Sequence, residues 1–118
     1  MSTARIAVVG HCAAGKSSVV RLLVEQGYEA YSVAQEHSAV HDLWAHQQPD
    51  LVVFLDVSLG AIRERKGNHD WPEWIFEEQS QRLQHAREHA DIVIDTDLEA
   101  VEMVVECILR RIRRNSTR

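Results

Sequence analysis

Two glycines, a lysine and two hydroxyls crowd into one short stretch, Gly10-His11-Cys12-Ala13-Ala14-Gly15-Lys16-Ser17-Ser18. Their spacing fits the pattern G-x-x-x-x-G-K-[ST]. The chemistry such a stretch can do is anion binding. Gly10 lets the chain turn tightly, and Gly15 lets backbone approach an anion with no Cβ in the way. Successive amide N–H groups in the loop, and those opening a following helix, then converge on phosphate oxygens. Lys16 adds a cation against the outer phosphates, and the Ser17 hydroxyl is a hard ligand of the kind Mg²⁺ takes. The plain alternative is a glycine-rich turn before a helix that happens to carry Lys-Ser.

Other residues join this chemistry only if the fold delivers them. Asp56 ends an apolar run and suits a second acidic anchor for a phosphate-bound metal; Asp95 ends a similar run and is expected farther off. Glu36 follows a short strand, where it could position an acceptor hydroxyl or a water, and His37 beside it could bind phosphate or act as a base. Helix capping at Ser38 and a solvated loop would also explain this segment. Arg63, Arg65 and Lys66 could clamp transferring phosphoryl charge, or sit at a helix C-terminus whose dipole favours cations. Arg82 and Arg87 are expected in surface pairs with Glu78, Glu88 or another carboxylate, the alternative being that one of them faces the site. His37/His41 and His85/His89 are spaced for chelation on a helix, but no third ligand completes either set, so surface or half-buried histidines are expected. Cys12 lies near a helix N-terminus, which favours a thiolate; a small loop residue is the simpler explanation.

The elements that must carry these groups alternate. Residues 5–9 are an apolar run ending at Gly10, as in a buried parallel strand. A helix over 16–26 follows, with Val19, Val20, Leu23 and Val24 inward and Gly27 at its left-handed end. Residues 28–33 suggest a second strand. Residues 38–47 suggest a helix with Val40, Leu43 and Trp44 inward, ended by Pro49-Asp50. Leu51–Asp56 is continuously apolar, so it is expected to be buried on both faces. Ser58 should cap a helix over 59–66, and a polar break leads to a long helix reaching residue 89, opened by Trp71-Pro72 with Asp70 or Trp71 near its cap and Pro72 in its first turn. Ile75, Leu83, Ala86 and Ala90 mark its apolar stripe. Residues 91–95 make the last strand, and Asp97 should cap a final helix with Leu98, Val101, Val104, Val105, Ile108 and Ile112 at helical spacing. The expectation is a single α/β domain over 1–114, a parallel sheet of about four strands flanked by helices in three layers, with 115–118 as a tail.

Composition narrows the classes. The chain has 118 residues, 45% apolar and 26% charged, and carries a net charge of −5. One domain with a core of its own fits that length. The acidic balance argues against general nucleic-acid binding. No apolar run is long enough to span a membrane, there is no signal-peptide layout, and the two cysteines, Cys12 and Cys107, suit a reduced cytoplasm. Five of the thirteen basic residues lie in the C-terminal stretch, where they are expected to oppose the helix dipole, the alternative being a phosphate- or partner-binding tail.

On its motif and on two further segments, the chain resembles the P-loop kinases of small molecules, the nucleoside-, nucleotide-, shikimate- and thymidylate-kinase-like enzymes. Residues 49–57 look like the late strand of thymidylate-kinase-like enzymes. Arg63, Arg65 and Lys66 match the lid that follows it, and residues 90–96 look like the last strand, after which such kinases hold the nucleotide base. The resemblance implies the three-layer P-loop fold, ATP or another nucleoside triphosphate with Mg²⁺ at Gly10–Ser18, Ser17 and Asp56 toward the metal, and Lys16, Glu36, Arg63 and Arg65 in phosphoryl transfer to a small molecule. One departure is plain. Such kinases insert an acceptor-binding helical region after the second strand, whereas here only residues 34–50 intervene, with no arginine. A nucleotide sensor or switch with slow hydrolysis is therefore the alternative to a kinase. A homodimer, with the tryptophans or the last helix at the contact, could complete the pocket.

Overall fold

The computed structural model describes residues 4–116. Four strands form one parallel sheet: β1 (Arg5–Gly10), β2 (Glu29–Ser32), β3 (Leu51–Asp56) and β4 (Ile92–Asp95), in the order β2-β1-β3-β4. Four helices accompany them: α1 (Lys16–Glu25), α2 (Leu59–Lys66), α3 (Glu73–His89) and α4 (Val101–Ser116). The helix α4 runs two residues into the expected tail; residues 117 and 118 lie outside the described residues.

Alternation along the two central strands builds two cores. Ile6 and Val8 of β1, with Leu51, Val53 and Leu55 of β3, face α1, α2 and α4. Ala7 and Val9, with Val52 and Phe54, face α3. Both strands are continuously apolar because both faces are covered, and each fully buried Val, Ile, Leu or Phe contributes about 1.5–3 kcal/mol.

The strand order fixes where a site can form. From β1 the chain steps to β2 on one side and then to β3 on the other, so the order reverses between β1 and β3. The crevice beyond the carboxyl ends of the strands at such a reversal is where open α/β sheets bind ligands. The loops after Gly10 and Asp56 open there.

Local signals explain most of the boundaries. Ser58 Oγ accepts the Ala61 amide at 3.1 Å and starts α2, and Gly67, at φ +64°, ends it. Gly27, at φ +92°, turns the chain out of α1. Four expectations need correction. Residues 38–47 are not a helix but an irregular stretch between two 3₁₀ turns, Gln35–His37 and Leu43–Ala45. The buried Gln35 amide replaces the missing helical ladder: Nε2 donates to the Val40 carbonyl at 2.7 Å and Oε1 accepts the Trp44 amide at 3.0 Å. Val40 is accordingly exposed, while Leu43 and Trp44 pack inward as expected. Helix α4 begins at Val101, because the Asp97 carboxylate is spent on the Ser58 amide at 2.8 Å; Leu98 is left exposed. Pro72 is the N-cap of α3 rather than a first-turn residue. Val24 points to solvent.

The loop at Gly10–Ser18 as a candidate anion site

Each special residue of the loop has a geometric reason. A Cβ on Gly10 would stand 2.6 Å from the Leu55 carbonyl oxygen, so this glycine permits the close approach of β1 to β3. Gly15 has φ +97° and open space around it, so its requirement is torsional. Ala13 also turns left-handed, at φ +63°. The loop amide of Ala14 is satisfied by the His11 carbonyl, and that of Cys12 by Gln79 Oε1 at 3.3 Å. The amides of Ala13, Gly15, Lys16, Ser17 and Ser18 have no acceptor among the described residues. An open cavity of about 210 Å³ is lined by Ala13, Ala14, Gly15, Lys16, Ser17 and Ser18. Unpaired amides at the positive end of α1, beside a cavity, are what an anion requires.

Lys16 is held beneath this cradle. Its ammonium donates to the Gly10 carbonyl at 2.8 Å, the His11 carbonyl at 3.1 Å and Glu36 Oε2 at 2.5 Å. All three donors are thus engaged. Glu36 is 4% exposed, and its second oxygen, Oε1, is buried with no partner. The segment holding Glu36 is wedged against α3, where Arg82 donates to the Glu36 carbonyl at 3.3 Å and Gln35 donates to the Arg82 carbonyl at 3.3 Å. Of the residues expected in transfer chemistry, Lys16 and Glu36 are therefore in direct contact.

The two arginines separate. Arg65 reaches the loop, donating to the Ala13 carbonyl at 2.8 Å, to Thr96 Oγ1 at 3.4 Å and to the Thr96 carbonyl at 2.5 Å. Arg63 instead donates through Nε to the Trp71 carbonyl at 3.0 Å, fixing the entry to α3. Arg82 pairs with Glu78, as its spacing suggests. Asp56 sits at the mouth of the crevice, paired with Arg87 at 3.0 Å. Ser17 is exposed at the start of α1. Both are hard oxygen donors of the kind Mg²⁺ takes, and the Asp56 carboxylate is engaged by Arg87. Among the described residues no three His, Cys, Asp or Glu side chains are placed to hold a metal by themselves. Of the histidines, Trp44 Nε1 donates to His85 Nδ1 at 3.0 Å, His85 lies edge-on to His41 and tilted against His89, and the exposed His37 has Nε2 3.8 Å from Glu36 Oε2.

The support from α3 is what sequence reasoning missed. His11 is buried and stacks on Phe76 with ring centroids 4.5 Å apart. Ser80 spends its proton on the Phe76 carbonyl at 2.8 Å, so its oxygen accepts from His11 Nε2 at 2.8 Å and His11 Nδ1 is left bare. Gln79 was visible as a polar residue on the stripe Ile75, Leu83, Ala86, a sign that it must find a buried partner; that partner is the loop.

Burial pushes the His11 pKa below its usual 6.5, against the pull of the Asp56 and Glu36 carboxylates. The folded form therefore keeps His11 neutral where the unfolded chain takes up a proton. Stability contributed this way is present above pH 6.5, declines as pH falls from there toward the depressed folded value, and levels off below it. Urea midpoints of the native chain should drop across that window. In His11→Asn the drop should be smaller; an unchanged drop would remove His11 as its source.

A second cavity, of about 220 Å³, adjoins the loop on the side of β4 and is lined by Ala13–Gly15, Ser18, Val19, Arg65, Thr96, Glu99, Val101 and Val104. Val19, Val101 and Val104 give it apolar lining, and Arg65 and Glu99 add a cation and a carboxylate. No known family's sequence model matches the chain, and no curated protein matches it significantly.

Proposed function

We propose that this chain binds a magnesium-bound nucleoside triphosphate, with the phosphates on the Gly10–Ser18 loop, and transfers its outer phosphoryl group to a small acceptor. The observation that carries the proposal is the set of five unpaired loop amides beside an open cavity, with the Lys16 ammonium directly behind it. The same crowding of donors supports the P-loop fold expected from the motif. Lys16 would trade Glu36 for a phosphate oxygen while keeping its two carbonyl partners. Ser17 and Asp56 would hold Mg²⁺, which supplies charge neutralisation at the phosphates. Arg65, anchored to Ala13 and Thr96, would fix the nucleoside end. Catalysis would rest on positioning and electrostatics.

One observation favours the alternative, a nucleotide-responsive switch. Lys16 is pinned by Glu36, and Glu36 belongs to a turn wedged on α3. A phosphate that displaces Glu36 would release that turn. Glu36→Gln separates the two functions. In both, triphosphate affinity should rise, by roughly five- to tenfold, because a competing and repelling carboxylate is gone. In a transferase that uses Glu36 to hold the acceptor hydroxyl, turnover should fall at the same time; in a switch, hydrolysis should stay as slow as in the native chain. Titration calorimetry with Mg²⁺ nucleotides, followed by product analysis with hydroxyl and phosphate acceptors, reads both quantities. No heat with any triphosphate would overturn the proposal.

A further inference from the structure

We infer that the base recognised beside the loop is guanine, and that Glu99 and Arg65 select it; the inference rests on the proposed nucleotide site. The 220 Å³ cavity continues from the loop cavity through their shared residues Ala13, Ala14, Gly15 and Ser18. A nucleoside attached to phosphates on the loop has this space next to it, lined by Val19, Val101 and Val104 together with Thr96 and Glu99.

Two side chains on its rim carry opposite hydrogen-bonding character. Arg65 spends both Nη1 hydrogens on the Ala13 carbonyl and Thr96 Oγ1, and one Nη2 hydrogen on the Thr96 carbonyl. Its Nε–H and second Nη2–H, which form the parallel fork on the other edge of the guanidinium, have no acceptor among the described residues. Glu99 lines the cavity from an exposed position, has no hydrogen bond or ion pair among the described residues, and its ionised carboxylate can only accept. The cavity therefore offers a two-donor fork and a two-acceptor carboxylate.

Guanine is the base that answers both. Its O6 and N7 are adjacent acceptors, matched to an arginine fork, and its N1–H and N2–H₂ are adjacent donors, matched to a carboxylate. Adenine answers neither fully. It sets the N6 amino donor beside N7 toward the arginine, and it sets the bare N1 lone pair beside N6 toward the carboxylate. Cytosine and uracil lack the N7 edge. Glu99 is exposed, so a mismatched base leaves its carboxylate to water and the discrimination is moderate rather than the largest a polar site can give.

The test is competitive calorimetry on the full chain with the Mg²⁺ complexes of GTP, ITP and ATP, with tripolyphosphate reporting on the loop alone. GTP should bind about tenfold or more tightly than ATP, and ITP, which lacks the N2 amino group, should fall between them. Glu99→Gln, an exposed loop substitution, offers one acceptor and one donor and should bring the GTP-to-ATP ratio to within about threefold. Equal or tighter binding of ATP, with tripolyphosphate also bound, overturns the base assignment and leaves the phosphate site standing. A GTP preference that Glu99→Gln does not alter overturns the role of Glu99. Failure of tripolyphosphate and all three nucleotides to bind overturns the underlying site, and this inference with it.

Discussion

Lys16→Ala is expected to reduce nucleoside triphosphate affinity at least a hundredfold, the largest binding loss of any single substitution in the chain. The ammonium lies directly behind the loop, and a charge-assisted hydrogen bond to phosphate is worth about 1.5–3 kcal/mol before the lost long-range attraction is added. The substitution has a second effect that must be separated from the first. It strands Glu36, which is 4% exposed and already has one unpartnered oxygen, and breaking a buried ion pair from one side costs about 3–5 kcal/mol of stability. Lys16→Ala/Glu36→Gln removes the stranded charge. The double variant should recover a measurable part of the unfolding free energy in urea, and of the binding no more than the roughly five- to tenfold that loss of the Glu36 charge gives by itself. Full return of binding with the double variant would show that Lys16 acts through stability rather than on the phosphates.

Gly10→Ala should be the most damaging single-methyl addition to the fold. Its Cβ would lie 2.6 Å from the Leu55 carbonyl and 3.3 Å from the Ala14 and Leu55 Cβ atoms, in the middle of the β1–β3 pairing. Nothing in that contact is the flexible end of a side chain, so β1 and β3 must move apart. Overpacking of this kind costs about 1–3 kcal/mol, sometimes more. Gly15→Ala meets no atom within 4 Å and pays only for φ +97°, so it should cost less. Thermal unfolding should rank Gly10→Ala below Gly15→Ala. The binding order should be reversed relative to stability loss: Gly15 lies among the open amides, and relaxing its torsion would turn them. Equal stabilities for the two variants would contradict the packing at Gly10.

What the sequence made legible divides along physical lines. Strands β1 and β3, helix α2 with its Ser58 cap, and Gly27 were readable because each is governed by local chemistry: continuous apolar runs, a hydroxyl cap, a left-handed residue. The α/β alternation then gave the parallel sheet. Residues 38–47 were misjudged because helical spacing at Val40, Leu43 and Trp44 was outweighed by a tertiary event, the burial of the Gln35 amide against α3. The start of α4 was misjudged because Asp97 caps nothing in its own helix and serves Ser58 across the sheet edge. At the site, the loop was visible by motif and the place of Glu36 at the carboxyl edge by its position after β2; its ion pair with Lys16 was not visible. The division of labour between Arg63 and Arg65, two residues apart on α2, was not visible: a helix turns about 200° over that interval, so the two face different neighbours. The roles of Gln79, Ser80 and Glu99 depend on which helix the topology lays beside the loop, and spacing along the chain does not encode that directly.

The central claim is that five amides of one bend close around an anion. Proton–nitrogen correlation spectra of the labelled chain, recorded as magnesium tripolyphosphate is added, test it at atomic resolution. The resonances of Ala13, Gly15, Lys16, Ser17 and Ser18 should move downfield together with saturating occupancy, with Glu36 shifting as its partner is taken. Spectra in which these five amides stay in place, or in which the shifts cluster on another face of the molecule, would contradict it.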